Sequence, residues 1–170
     1  KAVGDVDMVI EAVPEELALK QTIFKQLDEF CPKHALLVTN TSTISITAIA
    51  SVTKRPESVI GLHFANPVPV MVGVEVIKGL MTSEETLETA KQFLKQIGKE
   101  YYVAKDAPGF IGNRLLPLFI NEAFNVLWEG IATAEDIDKS TKLSFRHPMG
   151  PFELADLIGL DQLLKGLEYM

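Results

Sequence analysis

The chain has 170 residues, a formal net charge of −7 from 16 basic and 23 acidic residues, and a hydrophobic fraction of 47%. That fraction supplies a core and argues against disorder. The acidic balance argues against nucleic acid as a partner, because a phosphate backbone needs a basic face. An anionic small ligand needs only a local basic pocket and stays open. One cysteine, Cys31, cannot form an internal disulfide, which points to a reducing compartment. No apolar run reaches the length of a membrane span.

Asp7 to Val13 reads as a buried strand that Pro14 ends. Glu15 to Phe30 follows as a helix, with Leu19, Ile23 and Leu27 on one face and Glu15 and Glu16 at the favourable N-terminal end. Leu36 to Thr39 is a second strand, leading into Asn40-Thr41-Ser42-Thr43. Ile46 to Ser51 is a short helix, capped by Ser45 or a residue beside it. Val59-Ile60-Gly61-Leu62 is a third strand that delivers His63 to its end, and Asn66-Pro67 forces a turn. Val74 to Ile77 is a fourth. Strands alternating with helices imply a parallel sheet with covering helices. Thr82 to Ile97 is a helix with a Thr82/Glu85 capping pattern and an apolar stripe at Leu87, Ala90, Leu94 and Ile97, stopped by Gly98. Glu100 to Ala104 is the last strand.

The Asp106-Ala107-Pro108-Gly109 stretch reads as a domain boundary, separating an α/β part, residues 1–105, from an all-α part, residues 106–170. Asn113 to Trp128 is a long helix, apolar nearly all round, which implies burial or a partner helix, and Pro117 should kink it if the helix is continuous. Thr133 caps a helix that begins near Ala134, and another begins near Phe152.

The chemistry concentrates at His63 and Glu75. A carboxylate between Val74 and Val76 is costly to bury alone, and a histidine beside it offsets that cost. The carboxylate in turn fixes the imidazole tautomer and stabilises the imidazolium formed when the ring takes a proton. From the spacing alone, a histidine at a strand end and a glutamate on an edge strand remain the commoner arrangement. Ser42 follows a strand, at the carboxyl end of the sheet, where open α/β sheets bind ligands; a turn-capping hydroxyl is the plainer role. Asn113 by itself reads as a helix cap, and Glu15 and Lys20 as solvated helix charges. His147 reads as structural, and His34 lies in a surface turn. The three histidines are scattered and there is no cysteine cluster, so no metal site is expected.

Three blocks, His63-Phe64-Ala65-Asn66-Pro67-Val68-Pro69-Val70-Met71, Asp106 to Arg114 and His147 to Asp156, resemble the L-3-hydroxyacyl-CoA dehydrogenases, above all their short-chain, 3-hydroxybutyryl-CoA branch. The resemblance covers nearly the whole chain. It implies the later half of a Rossmann-like NAD-binding domain, followed by a helical domain that meets an acyl-CoA substrate, in the cytoplasm or the mitochondrial matrix; the near-continuous apolar surface of Leu115 to Trp128 points to a homodimer through these helices. It implies that His63 is the base, that Glu75 orients it, and that Ser42 and Asn113 contact the substrate. It places Glu15 and Lys20 against NAD, with Asn40 and Asn66 lining the same cleft. Val72-Gly73 and Ala65 depart from the family pattern, which more often has a lysine before an apolar residue and a second phenylalanine.

A dinucleotide fold should open with a glycine-rich turn, and this sequence has no Gly-x-Gly-x-x-Gly. The chain therefore reads as a fragment, with that motif upstream of Lys1. Two other functions compete with the dehydrogenase: a non-catalytic dimerisation module on the same fold, and a segment of a multifunctional fatty-acid oxidation enzyme.

Overall fold

The computed structural model describes residues 4–169. The chain divides into two units, Lys1–Phe110 and Ile111–Met170. The first is built on five strands, β1 (Met8–Glu11), β2 (Leu36–Thr39), β3 (Val59–Phe64), β4 (Gly73–Lys78) and β5 (Glu100–Lys105), which lie side by side in chain order. β1, β2 and β3 run parallel, as the alternating pattern implies, and β5 runs parallel to β4. The β3–β4 pair is antiparallel. Residues 65–72 are too few for a crossover, which takes a dozen or more residues, so β4 has to return alongside β3.

The two-residue period of the strands sorts the core into two layers. Leu37, Val59, Ile77 and Ala104 face α1 (Leu17–Phe30) and α2 (Ile46–Ala50), where Phe24, Ile46 and Ile49 are fully buried. Leu36, Val38, Ile60, Leu62, Val74 and Val76 face α3 (Glu84–Gln96) through Leu87, Ala90 and Leu94.

α1 departs from its sequence pattern by one residue. The buried stripe is Lys20, Phe24 and Asp28, while Leu19, Ile23 and Leu27 are half-buried beside it. Each charged end of the stripe meets an opposite charge. Lys20 Nζ lies 2.8 Å from Glu11 Oε1, and Arg55 Nε lies 3.1 Å from Asp28 Oδ1. A buried charge is tolerable only when paired and hydrogen-bonded, and these pairs also serve the backbone. Arg55 donates to the Leu27 and Pro32 carbonyls at the end of α1, and Asp28 accepts from the Lys54 amide.

Two caps differ from expectation. α1 starts at Leu17, so Glu15 stands ahead of the helix. Ser83, not Thr82, caps α3 by accepting from the Thr86 amide, because the Thr82 hydroxyl is turned inward and donates to the Val59 carbonyl. Ser45 caps α2 as expected, reinforced by Asp106, whose carboxylate accepts from the Ser45 hydroxyl and the Ile46 and Thr47 amides.

The second unit is all helical: α4 (Gly112–Trp128), α5 (Ala134–Phe145), α6 (Pro151–Ile158) and α7 (Leu160–Tyr169). α4 continues through the buried Pro117. Its Ile120 packs with Ala155 of α6 and Leu163 of α7. Thr133 caps α5 as expected. α6 starts at Pro151, one residue earlier than expected; the buried Asp138 accepts from the Phe152 and Glu153 amides and so caps it from α5. His147 lies between the rings of Phe119 and Phe145, at 5.3 and 5.9 Å, a structural placement.

Gly61 sets how closely α2 approaches β3. A Cβ at this position would meet Ile46 Cδ1 at 2.7 Å and Ile77 Cβ at 3.1 Å. Gly61→Ala should destabilise the protein by about 1–3 kcal/mol, the usual cost of overpacking, and Gly61→Val by more. Urea unfolding checks this; an alanine variant as stable as the parent would contradict the close approach.

Candidate active site

The antiparallel register pairs His63 directly with Glu75, and Glu75 in turn with Tyr102 on β5. Directly paired residues project from the same face, so the three side chains form one row across the sheet. His63 Nδ1 lies 3.3 Å from Glu75 Oε2. Glu75 is 1% exposed and the imidazole 19%, so the carboxylate is the buried partner of the pair and the ring the part-exposed one. The expected approach of the two side chains is thus present, with His63 near the carboxyl end of β3. A carboxylate at Nδ1 selects the Nδ1–H tautomer and leaves the lone pair on Nε2, the state of a proton acceptor. Burial raises the Tyr102 phenol above its ordinary pKa, and the Glu75 charge adds to that rise. Tyr102 escaped the sequence reading because only the strand register reveals it.

A second cluster lies where β1 and β2 end. Glu15 Oε1 accepts from the Thr41 and Thr43 hydroxyls and from the Ser42 and Thr43 amides, so one carboxylate gathers the loop after β2. Lys20 Nζ approaches Glu15 Oε2 at 3.3 Å from below. Lys20 itself is 1% exposed and also donates to Glu11 and to the Val13 carbonyl, so it is no solvated helix charge. Glu11 accepts from Lys20, the Val13 amide and the Thr39 hydroxyl. Glu11 was missed; its signal is a lone acid inside the apolar run Met8-Val9-Ile10-Glu11-Ala12-Val13.

Asn40 extends the same edge. Its Oδ1 accepts from the Phe64 amide at 3.0 Å, which ties the end of β2 to the residue after His63. Ser42 sits in the loop that Glu15 holds. Asn66 begins the turn beyond β3, through a cis bond to Pro67. Asn113 lies in the second unit, as the second residue of α4 and so inside the helix rather than at its cap, which is Ile111. Among the described residues, no group of three or more His, Cys, Asp or Glu side chains could hold a metal ion. No described helix is long and apolar enough to cross a membrane.

Residues 1–107 match the family model described as 3-hydroxyacyl-CoA dehydrogenase, NAD binding domain, and residues 109–170 match that of the C-terminal domain of the same enzymes. The chain belongs to the 3-hydroxyacyl-CoA dehydrogenase family. It is 51% identical over 164 residues to a probable 3-hydroxybutyryl-CoA dehydrogenase of Bacillus subtilis, covering 96% of this chain and 57% of that protein. It is 49% identical over 159 residues to the human mitochondrial hydroxyacyl-coenzyme A dehydrogenase, covering 94% of this chain and 51% of that one. The crystal structure of (S)-3-hydroxybutyryl-CoA dehydrogenase from Ralstonia eutropha superposes with a TM-score of 0.94 at 48% identity, over 99% of this chain and 59% of that chain. The chain thus spans little more than half the length of these relatives.

The cofactor of this domain family is NAD. The residues present fit part of it. β1, β2 and β3 run parallel with their carboxyl ends at one edge, and the half-buried Asn40 and Ser42 and the exposed Glu15 and Asn66 offer hydrogen-bonding groups there, suited to an amide and a ribose. The glycine-rich turn that takes the pyrophosphate in such folds is not in this sequence.

Burial would raise the Glu15 pKa, but hydrogen bonds from Thr41 and from the Thr43 and Ser42 amides, with the Lys20 charge, together lower it below 4.5. A carboxyl lowered in the folded state adds stability that is present above its unfolded pKa and is lost as pH falls through the folded value. Glu15→Gln should therefore cost about 1 kcal/mol near neutral pH, a figure already reduced for the 37% of the side chain that water reaches. The cost should vanish in acid below the carboxylate range. Thermal melts of both proteins at several pH values check this; a gap independent of pH would contradict it.

Proposed function

We propose that this chain carries the base and the substrate-facing loop of an NAD-dependent dehydrogenase that oxidises short-chain (S)-3-hydroxyacyl-CoA thioesters, 3-hydroxybutyryl-CoA among them, to 3-oxoacyl-CoA. The observation that carries the reading is the part-exposed imidazole near the end of β3, whose Nδ1 lies 3.3 Å from the buried Glu75 carboxylate of β4 and whose Nε2 is not engaged in that contact. The names of the relatives support the substrate class.

His63 Nε2 takes the proton of the C3 hydroxyl, and the C3–H electron pair leaves as hydride while the C3–O bond becomes a carbonyl. The hydride acceptor would be supplied by bound NAD. The Glu75 carboxylate holds Nδ1–H and balances the imidazolium as it forms. Ser42, on the loop gathered by Glu15, hydrogen-bonds the reacting oxygen. Asn113 polarises the same oxygen or the thioester carbonyl. Glu15, Asn40 and Asn66 would line the cofactor cleft, while Lys20, paired with Glu15 and Glu11, keeps the Glu15 carboxylate in place. Cytoplasm or mitochondrial matrix, both reducing, suits the single buried Cys31.

The helical unit serves as a homodimer surface. On and after α4, Leu115, Leu118, Trp128 and Ile131 are all more than half exposed, with Trp128 at 86%. A monomer rarely leaves so many large apolar side chains in water. Light scattering at rising concentration should give twice the monomer mass, and Trp128→Glu should return it to one; a monomer at every concentration would contradict this part of the proposal.

The catalytic reading is tested with the chain joined to a complete cofactor half. His63→Gln keeps a hydrogen-bonding side chain but no proton acceptor, so kcat should fall by about 10²–10⁴ while KM for 3-hydroxybutyryl-CoA changes little. NADH absorbance in steady state reads both. A folded His63→Gln variant with the parent kcat would assign the proton to another group.

A further inference from the structure

The imidazole of His63 has a second neighbour that no sequence motif singles out for a role. The Phe110 ring centroid lies 6.4 Å from that of His63, with the planes tilted by 58°. This lies within the 4.5–7 Å range of interacting aromatic pairs, in the tilted arrangement they favour. Phe110 is 5% exposed and belongs to the apolar cluster of Ile46, Ile77 and Ala104. Gly61, Ile77 and Ala104 form the row of paired residues next to His63, Glu75 and Tyr102 on the same face. The phenyl ring is thus anchored in one row and bears on the histidine of the next.

The backbone of Phe110 is unusual. Its φ is 49°, after Gly109 at 72°. A bulky side chain rarely takes a left-handed conformation. Among described residues other than glycine, only Arg146 shares a positive φ. Such a residue persists where its surroundings hold it, and such residues cluster at functional sites. Here the surroundings are a tight turn, with the Phe110 amide donating to the Ala107 carbonyl at 3.0 Å, and the apolar cluster that receives the ring. The gain is that the ring, carried on the stretch after β5, turns back against the imidazole.

We propose that Phe110 is a positioning residue for His63, its ring holding the imidazole over Glu75 in the Nδ1–H tautomer. The inference rests on the reading of His63 as the base. Glu75 fixes the ring from below through Nδ1; Phe110 fixes its tilt from the side, so that Nε2 keeps one direction. A smaller aliphatic residue would leave the imidazole free to turn away from the carboxylate and admit water to both.

The test labels the chain with 15N-histidine and reads the ring nitrogens by long-range 1H–15N correlation, with His34 and His147 as internal controls. In the parent chain above the histidine titration range, His63 should show well-separated ring nitrogens, as one tautomer does. Phe110→Leu should bring them together as tautomers mix, leave the two control histidines unmoved, and lower kcat of the completed enzyme about tenfold with KM within about twofold. Phe110→Tyr, which restores an aromatic ring, should recover both readouts. If the leucine variant does not fold, Phe110→Met, bulky but without a ring, takes its place. An unchanged His63 spectrum in a folded leucine or methionine variant overturns the inference, whatever kcat does. That failure is distinct from failure of the base assignment, which only His63→Gln with full kcat would bring about.

Discussion

A buried carboxylate on a strand between two others constrains everything around it. Glu75 is 1% exposed, flanked along β4 by the buried Val74 and Val76. Left alone it would take up a proton or oppose folding, since the penalty for an unpaired buried charge is several kcal/mol. The short 65–72 connection makes β4 antiparallel to β3, and the resulting register sets His63 against Glu75. His63 is then a titratable ring with Nδ1 engaged by the carboxylate. A charge that the fold must neutralise is thereby converted into a fixed tautomer at the carboxyl end of the sheet. The packing of Phe110 against the same ring and the close seating of α2 over Gly61 both belong to the face that holds this pair.

Elsewhere the chain uses carboxylates in the same way, as internal fasteners. Glu15 gathers the Ser42 and Thr43 amides and the Thr41 and Thr43 hydroxyls, Asp106 the start of α2, and Asp138 the start of α6. Each negative charge meets the unsatisfied N–H groups of a helix start or a loop, where negative charge is stabilised. The acidic balance of the chain is therefore partly architectural. Glu11 and Asp28 do the same for buried cations, and the two pairs lock both ends of α1 against the sheet and the loop after α2.

Much of this was legible in the sequence where periodicity or chemistry is local. The strands and helices follow from runs, prolines and caps, and the wording around His63, Asp106 and His147 marked the family. What was not legible depends on partners distant in the chain. The apolar stripe of α1 pointed to Leu19, Ile23 and Leu27, yet Lys20 and Asp28 lie deeper, because Glu11 and Arg55 neutralise them from other elements. Thr82 and Ser83 are chemically near-equal as caps; the reach of Thr82 to Val59 decides between them. The Tyr102 position in the row needs the β4–β5 register. A phenylalanine at φ 49° carries no sequence signal, since the conformation is imposed by its burial.

The central claim is that His63 and Glu75 act as one unit, and a double-mutant cycle in kcat measures that directly. His63→Gln, Glu75→Gln and the double variant would be compared with the parent in the enzyme completed with its cofactor half, using oxidation of 3-hydroxybutyryl-CoA. If the carboxylate works only through the imidazole, removing it from a protein that already lacks the base should cost little more. The double variant should then fall far short of the product of the two single losses. Losses that multiply in full would mean that the two side chains act independently, and would contradict the account.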